Sequence, residues 1–147
     1  FLAPKQNWPA IEKRVLGVEK ILSKKNLNIE IVKCGDEGLN DTKTAVNNYI
    51  QDQGLPEAII GGNDRMAMAA IRILSEKGIG VPIDVKITGF NAFENTSYIT
   101  PTLVSVQSKA YEMGMEAGKI LIDTIKNKVI DVKEITFPVK LVVGESA

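Results

Sequence analysis

Short runs of β-branched residues alternate with helix-patterned stretches from one end of this chain to the other, and no other feature restricts its fold so tightly. Extended segments are expected at Phe1-Leu2-Ala3, which reads as the tail of a strand, and over residues 29–34, 57–61, 85–90, 103–107 and 135–144. The first helix opens at Trp8 and Pro9, with Asn7 as its cap and Ile11, Val15, Val18 and Leu22 at helical spacing. A second runs from Asn40 or Asp41 to about Gln53 and stops at Gly54. A third runs from Arg65 to Lys77, capped by Asp64 and stopped by Gly78. Ser108 caps a long helix with Met113, Ala117, Ile120, Leu121 and Ile125 on one face.

Strands joined through helices imply right-handed βαβ units and a mainly parallel sheet covered on both faces. The expected fold class is therefore α/β, a three-layer lobe around that sheet. Ligands of such sheets bind beyond the carboxyl ends of the strands, which points to residues 4–10, 35–40, 61–64 and 90–98. The first three of these loops run directly into helices, so free backbone N–H groups are available to polar ligand atoms.

Eighteen basic residues balance eighteen acidic ones, so no overall field draws this chain to DNA or to an anionic membrane. No apolar run is long enough for a membrane span, and no signal peptide opens the sequence. Histidine is absent, which excludes histidine-based triads and most zinc sites. The acidic residues are scattered without metal-ligand spacing, so neither a metal nor a cofactor is expected. Cys34, the single cysteine, rules out an internal disulfide, fits a reducing compartment, and reads as a buried small hydrophobe. Gly61-Gly62 suggests a phosphate loop, but the Lys-Ser/Thr that completes one is missing. With no nucleophile elbow or dinucleotide fingerprint either, an enzyme is not expected.

The stretch Ala58-Ile-Ile-Gly-Gly-Asn-Asp-Arg-Met-Ala-Met-Ala-Ala-Ile-Arg, followed by Val81-Pro-Ile-Asp-Val-Lys-Ile-Thr-Gly-Phe, resembles the LacI/GalR family of transcriptional regulators. The likeness continues through Tyr98-Ile-Thr-Pro-Thr-Leu, Val106-Gln107, Met113-Gly114, Arg14-Val-Leu-Gly near the start, and Pro138-Val-Lys-Leu-Val-Val-Gly-Glu-Ser at the close. Each motif is weak alone; their shared order along nearly the whole chain is specific. The resemblance implies a periplasmic binding protein-like type I fold, in which the polypeptide crosses three times between two lobes. By that pattern residues 1–107 and 136–147 form the C-terminal lobe, and residues 108–135 form a segment returning to an N-terminal lobe that is mostly absent here.

The same resemblance implies ligand contacts at four positions. Asn63 stands where the family has an asparagine bonded to a sugar hydroxyl, its other possible role being to shape the turn. Asp64 is expected to be structural. Arg14 matches the family arginine whose fork takes ligand oxygens, against the alternative of a solvated charge beside Glu12 and Lys13. Trp8 lies where family members touch ligand, or else serves as core or staple. Asn91 replaces the aspartate usual after Gly-Phe, which favours a ligand bearing some negative charge. The family's aromatic residue in the loop after the second strand is missing, and Glu37 there is expected to be a solvated loop acid, with ligand contact as its alternative reading. Met66, Met68, Ile71, Tyr98 and Ile99 fall where the family forms its dimer contact, methionine inside a helix being more often core.

The function so implied is sensing of a sugar or sugar derivative by a homodimeric cytoplasmic repressor, which meets DNA only through a head domain outside this chain. An extracytoplasmic sugar receptor of a transport system shares the fold and is the alternative reading.

Overall fold

A computed structural model describes residues 1–127 and 134–147. Its elements follow the expected alternation: β1 (Leu2–Pro4), α1 (Pro9–Leu22), β2 (Val32–Cys34), α2 (Leu39–Gln53), β3 (Ala58–Ile60), α3 (Asp64–Glu76), β4 (Lys86–Asn91), β5 (Val104–Gln107), α4 (Ala110–Asn127) and β6 (Lys140–Val142). A short 3-10 turn, Glu94–Ser97, lies between β4 and β5.

The helix starts differ from expectation for local reasons. Proline drives the residue before it into extended backbone, so Trp8 (φ −86°, ψ 127°) takes the cap position of α1. Asn7 instead accepts from Lys33 Nζ at 3.4 Å. Helix α2 begins behind Gly38, whose carbonyl accepts the Thr42 N–H at 3.1 Å, rather than at Asn40 or Asp41. Helix α3 is capped by Asn63, whose Oδ1 accepts the Met66 N–H at 3.1 Å. Asp64, expected as that cap, sits in the first turn, where a carboxylate complements the positive end of the helix. Lys109 rather than Ser108 precedes α4, its carbonyl accepting the Met113 N–H at 2.9 Å. The expected stops are found: Gly54 (φ 87°) and Gly78 (φ 73°) adopt a positive φ that glycine tolerates without strain.

Two ladders make the sheet. In one, β1 pairs with β2 in parallel; in the other the order is β3-β4-β5-β6. Among the described residues a single parallel bridge between Leu2 and Gly61 joins them, reinforced by the Gly62 N–H donating to the Leu2 carbonyl at 2.8 Å. Strands β3, β4 and β5 are parallel, whereas β6 runs antiparallel to β5, with Val142 opposite Ser105. One antiparallel edge strand is in keeping with the expected, mainly parallel sheet. β2 and β6 are also shorter than the sequence suggested, and both are edges, where the backbone has a partner on one side only.

Adjacent strand residues point to opposite faces, and Leu2 and Ala3 show the layering. Leu2 enters the main core, with Val46 of α2, Ile59, Val85, Ile87, Leu103 and the apolar face of α3. Ala3 enters a small second cluster with Ile11 and Val15 of α1. Helices α2 and α3 thus cover one face and α1 the other, the three layers expected. The core is built mainly on α3, where Met66, Ala67, Ala70, Ile73 and Leu74 are essentially inaccessible. Burying each large aliphatic among them stabilises the fold by roughly 1.5–3 kcal/mol. Helix α4 is different: Met113, Leu121 and Ile125 on its apolar side are 49%, 61% and 68% exposed. Residues 128–133 of the expected interlobe segment lie outside the described residues. Among the described residues no helix is long and apolar enough to cross a membrane.

Candidate ligand-binding cleft

Beyond the carboxyl ends of β1, β2, β3 and β4 the loops enclose a cleft of about 330 Å³, lined by Trp8, Ala10, Ile11, Arg14, Glu37, Asn63, Arg65, Asn91 and Phe93. The four residues expected from the sequence to meet ligand, Trp8, Arg14, Asn63 and Asn91, all line it. They come from separate segments that the parallel topology brings to one edge of the sheet.

Arg14 projects from the second turn of α1 and is held from two sides. Its Nη1 donates to the Gly62 carbonyl at 2.6 Å, and its guanidinium carbon lies 3.7 Å from the centre of the Phe90 ring. Burial lowers its pKa, while the negative charges of Glu37 and Asp64 pull the other way. This arginine is therefore a fixed, partly desolvated donor with N–H groups to spare, not a solvated helical charge.

Asn63 is buried, and both ends of its amide are engaged. Oδ1 caps α3, while Nδ2 donates to Glu37 Oε1 at 2.5 Å. Its capping role is thus real, and so is its place on the cleft wall. Glu37 is half-buried and bonded to Asn63, which corrects its reading as a solvated acid. Asn91 ends β4 with φ 120°, followed by Ala92 at φ 51°, both unusual for residues with a side chain. The turn is held from below: Ser105 Oγ accepts the Ala92 N–H at 3.1 Å and Asp64 Oδ2 accepts the Phe93 N–H at 3.0 Å. Trp8 and Phe93, 44% and 51% exposed, stand at the mouth as flat apolar surfaces.

Arg65, Phe90 and Phe93 escaped the sequence reading. Arg65 was masked by its neighbours Asn63 and Asp64, which carry the stronger cap signal, and Phe90 acts only through a cation–π contact with a residue far away in sequence.

The five residues expected at a dimer contact do not share one surface. Met66 is fully buried in this chain's own core, so its side chain is unavailable to a partner. Helical spacing explains the correction, since Met66 lies on the face of Ala70 and Ile73, not on that of Met68 and Ile71. Met68, Ile99 and the small accessible part of Ile71, which otherwise belongs to the core, line a shallow groove of about 360 Å³ with Arg72, Ser75, Glu76 and Thr100. Tyr98 is 75% exposed, its hydroxyl donating to Glu94 Oε1 at 2.6 Å. Among the described residues no three acidic or cysteine side chains gather to hold a metal ion. Cys34 is free and buried, as expected.

The description of the periplasmic binding protein-like domain family matches residues 1–147, and the chain belongs to that family. A curated relative, the HTH-type transcriptional repressor PurR of Aliivibrio salmonicida, is 31% identical over 119 residues, covering 80% of this chain and 36% of its own length. The ribose operon repressor of Bacillus subtilis is 24% identical over 131 residues, covering 89% of this chain and 40% of its own length. A solved structure from Bacillus cereus subsp. cytotoxis, described as a LacI transcriptional regulator, superposes with a TM-score of 0.92 at 27% identity, covering 100% of this chain and 53% of that one. The chain thus spans well under half the length of these curated relatives.

Proposed function

We propose that this chain is the effector-sensing part of a LacI/GalR-type transcriptional repressor, taking a small sugar or sugar derivative in the cleft between α1, α2, α3 and β4. The observation that carries this reading is the convergence of Arg14, Asn63, Asn91 and Trp8 on one concave surface at the carboxyl edge of the sheet. Relatives that are repressors support regulation over catalysis, and favour a cytoplasmic protein over an extracytoplasmic receptor.

On this reading residues 1–107 and 136–147 are one lobe, and residues 108–135 lead to a second lobe that faces the cleft. The bare apolar side of α4 supports that division. Homodimers form through the groove of Met68, Ile71 and Ile99, and DNA is met by a separate head domain. Ligand closes the lobes only through a higher affinity for the closed form.

The test is titration calorimetry of the intact protein against neutral and acidic sugars. Arg14→Ala leaves ligand oxygens unpaired in a closed cleft, which costs about 1.5–3 kcal/mol, or roughly a ten- to hundred-fold loss of affinity. Unchanged affinity in that variant would sink the site.

A further inference from the structure

The charge pattern of the cleft departs from the expectation of an acidic ligand. Arg14 lies in the field of two negative groups, Glu37 and Asp64, which partly offset the burial of its charge. Asp64 is buried, and its oxygens are taken by Ser105 and Phe93. Glu37 is the acid that remains at the cleft surface. Among the described residues only one of its oxygens, Oε1, has a partner, the Asn63 amide. The carboxylate thus has acceptor capacity to spare, and a carboxylate can take hydrogens from two adjacent hydroxyls. Asn63 uses Oδ1 for Met66 and one of its two Nδ2 hydrogens for Glu37, which leaves it a single N–H to offer.

Resting on the function proposed above, we propose that Glu37 is the specificity-determining residue of this cleft, its carboxylate receiving a vicinal pair of hydroxyls on a neutral ligand, with Asn63 as its positioning residue. The role that the sequence assigned to Asn63 as direct partner of a hydroxyl passes largely to the acid it holds. Arg14 donates to another oxygen of the same ligand, its plane fixed by Phe90. A ligand carrying phosphate or carboxylate at this end meets Glu37 as a like charge and is rejected.

The experiment is titration calorimetry on the intact protein with a panel of neutral aldoses, their deoxy analogues lacking one of two adjacent hydroxyls, and the matching sugar phosphates and sugar acids. A neutral aldose is expected to bind, the phosphates and acids at least tenfold more weakly. Glu37→Gln is expected to weaken the neutral ligand by ten- to hundred-fold. Removing one hydroxyl from the ligand should cost affinity in the wild type and little in Glu37→Gln, a coupling that general loosening of the loop does not produce. Asn63→Asp isolates the positioning role: it keeps the cap acceptor for Met66 but turns the donor to Glu37 into a like charge. That variant should lose tenfold or more in affinity for the neutral sugar, measured under conditions where its urea unfolding curve shows the chain still fully folded. If Glu37→Gln binds the neutral sugar unchanged, or if a sugar phosphate is the tightest ligand and gains in that variant, the assignment of Glu37 is overturned while the cleft stands. If no panel member binds, or the bound one ignores Arg14→Ala, the cleft reading fails and takes this assignment with it.

Discussion

Asp64 and Phe93, 29 residues apart in sequence, are joined by a hydrogen bond of 3.0 Å from the Phe93 N–H to Asp64 Oδ2, while Asp64 Oδ1 accepts Ser105 Oγ at 2.5 Å. One buried carboxylate thus ties the start of α3 to β5 and to the turn that carries Asn91. Gly89 makes room for it, since a Cβ there would collide with Asp64 Oδ1 and lie 2.8 Å from Leu103 Cδ2. Asp64→Ala strands the Phe93 N–H and the Ser105 hydroxyl in the interior and should cost about 3 kcal/mol. Asp64→Asn retains one acceptor and should cost less. Gly89→Ala should destabilise by about 1–3 kcal/mol through overpacking. Urea unfolding of the three variants orders them, and an Asp64→Ala midpoint equal to wild type would refute the tie.

Much of this arrangement was legible in the sequence, and the reason for the rest is consistent. The alternation of elements, the glycine stops and the loops that meet at the cleft follow from local pattern. What was misread depended on partners far along the chain. Asn63 and Asp64 are equally good caps by type; only Ser105, 41 residues on, shows that Asp64 is spent elsewhere. Glu37 looks solvated until Asn63, 26 residues away, is seen to hold it. Residues 29–31 and 135–139 are β-prone, yet edge positions do not carry them into the ladder.

Burial raises the Cys34 thiol to about 11 from an ordinary 9.0. The folded chain therefore holds this proton more tightly than the unfolded one. The stability this contributes is fully present below pH 9 and is lost as pH rises through about 11. Wild type should lose stability over that window by more than Cys34→Ala does, as read by denaturation at stepped pH. Near pH 8, alkylation by iodoacetamide should run about a hundredfold slower in the folded than in the unfolded chain, following the thiolate fraction. Equal rates would show that the thiol is not enclosed.

Helix α4 leaves Met113, Leu121, Ile122 and Ile125 substantially exposed. Apolar strips of this kind draw copies of a chain together. Sedimentation of residues 1–147 alone should show dimers or larger species. Leu121→Lys combined with Ile125→Lys should return a monomer with an unchanged unfolding midpoint, because neither side chain belongs to the core. A wild-type chain that stays monomeric at high concentration would count against an uncovered face.

The single bridge between Leu2 and Gly61 leaves a seam in the sheet, and the cleft straddles it. Trp8, Arg14 and Glu37 belong to the β1–β2 side; Asn63, Arg65, Asn91 and Phe93 belong to the side built on β3 to β5. The latter carries α3, while Leu2, Cys34 and Val46 of the former pack into the same core, so the seam is a gap in backbone hydrogen bonding and not in packing. Few backbone bonds cross between them, that of Gly62 to Leu2 among them, helped by the reach of Arg14 to Gly62. If ligand grips Glu37 and Arg14 on one bank and Asn91 on the other, as proposed, it acts as a suture. Its arrival should then be felt in β1 and β2 as slower exchange, so that occupancy of the cleft is recorded as rigidity of the sheet itself.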